Sequence, residues 1–311
     1  MAAPTSASGV IALLGLGEAG YELAKGWRAL PQPPMVVAFD RDAPVSGGTG
    51  PAAGSRAALI LQRAQETGVK LCHSAFEAVT QSGVDLVFSA VTAAGASAVI
   101  EAAGMGLAGK TFVDVNTMSP PKKRALGEKV AARGGRFVDA AVVGRFAVDG
   151  VHVPMLLSGP GSAALAEAAP ALGLNVKVVG QIPGEASAIK MFRSIYQKGL
   201  DSLIWELATA ASAYGVLDQV MSTLDEPGRP FARLVDYRLA GAALHAARRS
   251  EEMADVVDFL TEIGADATMA RAERDKLAGI AALGLDHRFG GQGAGGRAEI
   301  LAALAEVRKN P

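Results

Sequence analysis

The stretch VIALLGLGEAGYELAKGW, residues 10–27, constrains the fold more than any other part of the chain. A short apolar run enters Gly15-Leu16-Gly17-Glu18-Ala19-Gly20, and a helical pattern follows. Gly15 permits the tight turn, Gly17 lets backbone approach a pyrophosphate, and Gly20 lets the helix pack closely on the strand. An anion there sits on the helix N-terminus, where amides and dipole favour it. The next apolar run, MVVAFD (35–40), ends in Asp40, 20 residues after Gly20. A carboxylate there accepts hydrogen bonds from ribose hydroxyls, which favours NAD. Arg41 follows and is placed to meet a 2′-phosphate, so NADP stays open. The bland alternative is a glycine turn in a βαβ unit that holds no cofactor.

Further short runs repeat through the first half: VKLC (69–72), VDLVFSAV (84–91), KTFVDV (110–115), RFVDAAVV (136–143), PMLLSGP (154–160) and NVKVVG (175–180). Continuous rather than alternating apolar runs are typical of strands buried on both faces. Helical segments between them imply right-handed crossovers and a mostly parallel sheet. After Gly184 the strand-like runs stop. Helices are expected over about 185–214, 217–224, 228–249, 251–263, 268–283 and 297–308, with Ser250 and Thr268 as N-caps and Gly264 as a stop. The glycine-rich segment 284–296 reads as a connector. The expected organisation is α/β: a Rossmann-type domain over 1–183 and an all-α domain over 184–311.

Composition narrows the function classes. Thirty basic residues face thirty-one acidic ones in 311 residues, so no net field recruits nucleic acid or an anionic membrane. Cys72 is the only cysteine, which excludes an internal disulfide framework and fits a reducing compartment. The start, MAAPTSASG, lacks the basic flank and apolar run of a signal peptide and reads as disordered. No apolar run of about 18 residues suggests a membrane span. The four histidines, His73, His152, His245 and His287, have no metal-ligand spacing, so no metal is expected. A cytoplasmic protein is expected.

Small polar residues gather at strand ends, where open α/β sheets bind ligands. Ser89, Val91 and Thr92 close the fourth run, and Thr92 also suits a helix cap. Asn116, Thr117 and Ser119 close the fifth, just before Pro120. The segment SAIKMFRSIYQKG, residues 187–199, places a lysine in an apolar helix. Ser187, Lys190, Ser194, Gln197 and Asp201 share one face, with Arg193 beside it. A stripe with one lysine, an amide and hydroxyls suits a polar cavity better than open solvent. A lysine in a water-poor site has its pKa lowered by desolvation and then works as a general base in alcohol oxidation. The alternative is an exposed stripe or a paired core lysine. Arg193 is placed to bind a carboxylate or phosphate, or to pair with an acid. Arg238, His245 and Arg249 lie near one face of a later helix, which a neighbouring helix or dimer partner could bring to the substrate with His245 as a contact; the alternative is a basic exposed surface.

With these residues in view, the chain resembles the β-hydroxyacid dehydrogenase superfamily, which includes 3-hydroxyisobutyrate and 6-phosphogluconate dehydrogenases. VDVNTMSP resembles its D-x-(S/T)-x-x-x-P segment, FVDAAVVG its substrate-binding DAPVSGG element, and GEASAIKMFRS its G-x-x-x-x-x-K-x-x-x-N catalytic segment. The resemblance implies a Rossmann-type domain, a helical domain and a homodimer formed through the helices. It implies Lys190 as the catalytic residue. It implies substrate contacts at Asn116, Thr117, Val143, Gly144, Arg193, Ser194 and Gln197.

The departures are as informative. Ser194 stands where the family has asparagine, and Gln197 where the phosphogluconate branch has its acid-donating glutamate. Ala141, Val143 and Arg145 replace a proline, a serine and a glycine. An amide cannot donate a proton as a carboxylic acid does, so decarboxylation would need another donor, such as His245. The expected activity is therefore NAD(P)-dependent interconversion of an alcohol and a carbonyl on a small hydroxy acid or sugar acid. The rivals are a decarboxylating or isomerising aldonate dehydrogenase, an imine reductase on the same scaffold, and a nucleotide-binding sensor with a dead site.

Overall fold

A computed structural model describes residues 9–44, 51–225, 230–290 and 296–309. Residues 1–8 of the expected disordered start and 291–295 of the glycine-rich connector lie outside the described residues, and the connector is not all loop, because Leu285–Arg288 form a short helix. The chain folds as two compact units, 1–190 and 191–311.

The first unit is built on one eight-stranded sheet. The strands are β1 (Val10–Leu14), β2 (Met35–Phe39), β3 (Lys70–Leu71), β4 (Val84–Ser89), β5 (Thr111–Asp114), β6 (Arg136–Val142), β7 (Pro154–Ser158) and β8 (Asn175–Gly180). Their order is 3-2-1-4-5-6-7-8, and only the β6–β7 pairing is antiparallel. Helices α1 (Glu18–Arg28), α2 (Arg56–Thr67), α3 (Ala75–Thr80), α4 (Ala96–Ala103), α5 (Pro120–Ala131), α6 (Phe146–Asp149) and α7 (Ser162–Ala168) belong to the same unit. The central strands are buried along their length, β1 and β5 almost wholly, as their continuous apolar sequence requires. Two apolar cores result. Leu13, Trp27, Phe88 and Val113 belong to one, and Leu14, Val87, Ile100 and Phe112 to the other. β1, β4, β5 and β6 run parallel, so their carboxyl ends form one edge. That edge carries Gly15, Ser89, Asn116 and Val143.

Helix α8 (Glu185–Tyr214) starts in the first unit and continues into the second. The second unit adds α9 (Leu217–Thr223), α10 (Phe231–Glu262), α11 (Thr268–Ala281), α12 (Leu285–Arg288) and α13 (Arg297–Lys309). Its core includes Ile204, Trp205, Leu239, Ala243, Ile280 and Ile300. One expectation fails here. Ser250 does not cap a new helix but lies inside the 32-residue α10, where its Oγ donates to the Arg274 carbonyl at 3.1 Å. No glycine or proline interrupts 242–262, so nothing breaks the helix. Thr268 is also not the cap: it opens α11 one residue after the N-cap Ala267. Gly264 sits just past the end of α10 in the left-handed region, at φ 69°, as expected of a helix stop.

Candidate active site

The glycine turn has the geometry that the sequence suggested. Gly15 adopts φ 96°, and a Cβ there would lie 2.5 Å from the Ala90 carbonyl oxygen. A Cβ on Gly20 would lie 2.1 Å from the Gly15 oxygen, so the helix meets the turn through bare backbone. Gly17 differs: a Cβ there would meet only the Arg56 guanidinium, at 3.9 Å. Gly17 is the N-cap of α1, and no side chain among the described residues caps that helix end. The turn therefore presents backbone at a helix N-terminus with open space before it, which fits a pyrophosphate.

That space is a cleft of about 700 Å³ in the first unit. Gly15, Gly17, Glu18, Ala19, Asp40, Arg41, Val91 and Thr92 line it, as do Asp42, Arg56, Ala98 and Val99. Leu16, Gly20 and Ser89 are not in its lining. Leu16 is fully buried, and its amide donates to Asp40 Oδ2 at 2.8 Å. Ser89 is fully buried and accepts from Asn116 Nδ2 at 3.2 Å. Thr92 caps the turn that leads into α4, accepting from the Gly95 amide at 3.2 Å.

Asp40 is largely spent on the backbone. Its second oxygen accepts from the Asp42 amide at 3.0 Å, and only 8% of the residue is exposed. Arg41 beside it is exposed, 3.7 Å from Asp42, while Arg56 Nε donates to Asp42 at 2.9 Å. The rim of the cleft thus carries two guanidinium groups, with half-buried Asp42 in contact with both and exposed Glu18 also in the lining. Arg56 had no signal in the sequence, because α2 brings it to the rim from 14 residues beyond Asp42.

At the carboxyl edge, Lys190 Nζ donates to Thr117 Oγ1 at 2.7 Å. Lys190 is half-buried, not enclosed in a dry pocket as its apolar neighbours in sequence lead one to expect. The lysine with no exposure is Lys123, which carries no signal in the sequence. Asn116 is buried, and its amide also donates to Asp114. Val143 and Gly144 follow β6. A Cβ on Gly144 would lie 2.6 Å from Asp149 Oδ2 and 2.9 Å from Pro154, so only glycine fits there.

The remaining candidates lie in the second unit. Arg193 is exposed and Ser194 half-buried. Gln197 is held by Arg238, which donates to its carbonyl at 3.0 Å and to its side-chain oxygen at 3.1 Å. Arg238 and Arg249 also grip the two oxygens of buried Asp201, at 2.9 and 2.8 Å. Two of the cations expected on that face of α10 are therefore turned inward onto one carboxylate. His245 is exposed on the same helix. Among the described residues, no group of three or more His, Cys, Asp or Glu side chains is set to hold a metal. No helix among them is long and apolar enough to cross a membrane.

Residues 211–280 match a family described as a domain of unknown function, DUF1932. An uncharacterised 28.5 kDa protein of Methanothermus fervidus is 32% identical over 198 residues, covering 63% of this chain and 75% of that protein. A conserved hypothetical protein of Sinorhizobium meliloti 1021 superposes with a TM-score of 0.75 at 28% identity, covering 98% of both chains. MTH1747, a conserved protein of unknown function reported to be structurally similar to 3-hydroxyacid dehydrogenases, gives 0.71 at 30% identity, covering 91% of this chain and 99% of its own. A Mycobacterium tuberculosis 3-hydroxyisobutyrate dehydrogenase and a Streptomyces aurantiacus imine reductase share the fold at 20% identity, with TM-scores of 0.66 and 0.55. By its fold, its motifs and these relatives, the chain belongs to the β-hydroxyacid dehydrogenase superfamily.

Proposed function

We propose that the chain is an NADP(H)-dependent oxidoreductase that interconverts an alcohol and a carbonyl on a small hydroxy acid or sugar acid. The observation that carries this reading is the 2.7 Å contact of Lys190 Nζ with Thr117 Oγ1, at the carboxyl edge of the sheet whose first turn forms the dinucleotide cleft. A nicotinamide cofactor, when bound, supplies or accepts the hydride. The turn at Gly15–Gly20 and the α1 N-terminus would hold its pyrophosphate, and Ala98 and Val99 offer an apolar wall to its adenine. Lys190 gives a proton to the carbonyl oxygen during reduction and takes it back from the hydroxyl during oxidation. Thr117 orients that amine. An ammonium needs no lowered pKa to act as the acid, so partial exposure is compatible with the role.

The 2′-phosphate preference rests on the rim. Both Asp40 oxygens already accept backbone amides, so that carboxylate is a weaker ribose acceptor than the sequence suggested. Arg41 and Arg56 flank the place where a phosphate would lie, and guanidinium groups suit a phosphate. Oxidative decarboxylation is disfavoured because Gln197 is an amide and its oxygen is held by Arg238. An imine reductase is the second reading, favoured by the shared scaffold and opposed by the lysine.

The test is an absorbance screen at the reduced-nicotinamide band, with hydroxy acids, sugar acids and cyclic imines, using both nucleotides. Turnover of a hydroxy or sugar acid with NADP is the expected result, and Lys190→Ala is expected to lose at least ~100-fold in kcat with NADPH affinity kept. Turnover of imines alone, or unchanged kcat in that variant, would overturn the assignment. Arg56→Ala is expected to weaken NADPH about tenfold and NADH hardly at all, read by nucleotide fluorescence. Equal losses for both would refute the phosphate preference.

A further inference from the structure

We infer that Lys123 is a positioning residue for Lys190, its buried ammonium holding both ends of the Lys190–Thr117 contact. The inference rests on the role of Lys190 proposed above. Lys123 has no exposed surface, and neither have Asp114 and Asp139. Its Nζ lies 2.6 Å from Asp114 Oδ2, 3.0 Å from the Asp114 carbonyl and 3.1 Å from Asp139 Oδ1. The two aspartates are register partners on neighbouring strands β5 and β6. Lys123 reaches up from α5 and clamps them at the carboxyl edge.

Two arms leave this clamp. The first runs through Asp114 Oδ1, which accepts from Asn116, the residue before Thr117. The second runs through Asp139, which accepts the Ser187 amide at 2.9 Å and the Ser187 hydroxyl at 2.8 Å. Ser158 on β7 takes the neighbouring Ala186 amide at 3.0 Å. Two amides of the first turn of α8, those of Ala186 and Ser187, are thus capped by groups on strands. Ser187 is one turn before Lys190 on that helix. Both residues of the contact are therefore tied to one ammonium, through Asp114 and Asn116 on one side and Asp139 and Ser187 on the other.

The charges explain why a lysine serves here. Burial raises the pKa of Asp114, the Lys123 ammonium opposes the rise, and the Asp139 carboxylate adds to it. The Lys123 ammonium lies between them, and the two carboxylates raise its affinity for the proton in spite of burial. Asp139 also accepts the Ser187 amide from the N-terminal turn of α8. Losing the ammonium releases that balance, and the helix start and the 114–117 segment lose their common tether. A buried lysine in this setting governs how firmly the amine of another lysine is aimed, with no contact to substrate.

The experiment is competitive trace labelling with acetic anhydride at pH 8, read by peptide mass spectrometry in the full-length protein. Lys190 is compared with the exposed Lys25 in the same sample. The variants are Lys123→Met/Asp114→Asn, which removes one charge of each sign, and Ser187→Ala, which removes the hydroxyl bond of the second arm and leaves its amide bond. Ser162→Ala is the control, a buried serine of the same unit whose hydroxyl has no hydrogen-bond partner among the described residues. The expected result is a rise of about fivefold in the Lys190 to Lys25 ratio for the double variant, the factor set by one lost hydrogen bond. Ser187→Ala is expected to raise it about twofold and Ser162→Ala not at all. An unchanged ratio in the first two, or an equal rise in the control, would overturn the inference. If the double variant fails to fold, Ser187→Ala decides alone. NADPH titration of the same samples reports separately on the cofactor reading, so the two can fail independently.

Discussion

Glu273 offers the sharpest test of the physical reading of the second unit. It lies on α11 with 4% of its surface exposed, and its Oε2 has no hydrogen-bond partner among the described residues. It packs on bare α8 backbone: a Cβ on Gly199 would come within 2.3 Å of its Oε1. Burial raises its pKa, Lys198 opposes the rise, and Asp201 adds to it, so the group is pushed up from 4.5 to about 7. The folded chain then binds this proton more tightly than the unfolded chain does. The stability Glu273 contributes is full below about pH 4.5 and is lost as pH rises through about 7. A gap of about 2.5 units corresponds to about 3.5 kcal/mol, each unit being about 1.4 kcal/mol. Glu273→Gln keeps the shape and removes the titration. Lys198 is not stranded by the change, because Glu252 remains 2.8 Å away. Urea unfolding of both proteins at pH 5 and pH 8.5 is the assay. Nearly equal midpoints are expected at pH 5, and a variant midpoint higher by about 1–2 M at pH 8.5, for a slope of ~2–3 kcal/mol per molar. A difference that does not change with pH, or a variant less stable at pH 8.5, would refute the reasoning.

Gly15→Ala places a Cβ against the Ala90 carbonyl in a left-handed backbone. It is expected to cost more than ~2 kcal/mol in thermal unfolding and to abolish NADPH binding seen by fluorescence. Asp201→Ala strands Arg238 and Arg249 in a largely buried setting and is expected to destabilise the second unit by ~3–5 kcal/mol, measured by urea denaturation. Thr117→Val keeps the volume but removes the oxygen that accepts from Lys190. Its kcat is expected to fall about tenfold with little change in KM, measured by steady-state kinetics on a substrate found in the screen.

The parts legible in the sequence were those whose causes are local. The Gly15–Gly20 turn sits between a strand and a helix within 19 residues, and each glycine has a steric reason readable from the motif. The sheet was legible because doubly buried strands leave continuous apolar runs. Lys123 was not legible, because Lys122, Lys123 and Arg124 together look like a solvated helix face. Only the docking of α5 on β5 and β6 shows which of the three turns inward. Arg56 was hidden for a similar reason, since its place at the cleft depends on where α2 starts in space. Ser250 was misread because a cap signal is only a preference, and the continuing helix on both sides outweighs it. The exposure of Lys190 could not be read from its apolar neighbours, several of which, Ile189 and Phe192 among them, are themselves exposed.

The carboxylate of Asp201 takes one arginine from each of two positions eleven residues apart on α10. Eleven residues make close to three whole helical turns, which keeps both guanidinium groups on one side. A single inserted residue between 238 and 249 would swing one of them by about 100° and leave the carboxylate half-matched. Sliding α8 along α10 by one turn, about 5.4 Å, would lose both bonds at once. This stretch of α10 should therefore accept substitutions on its outer side while tolerating no change in length.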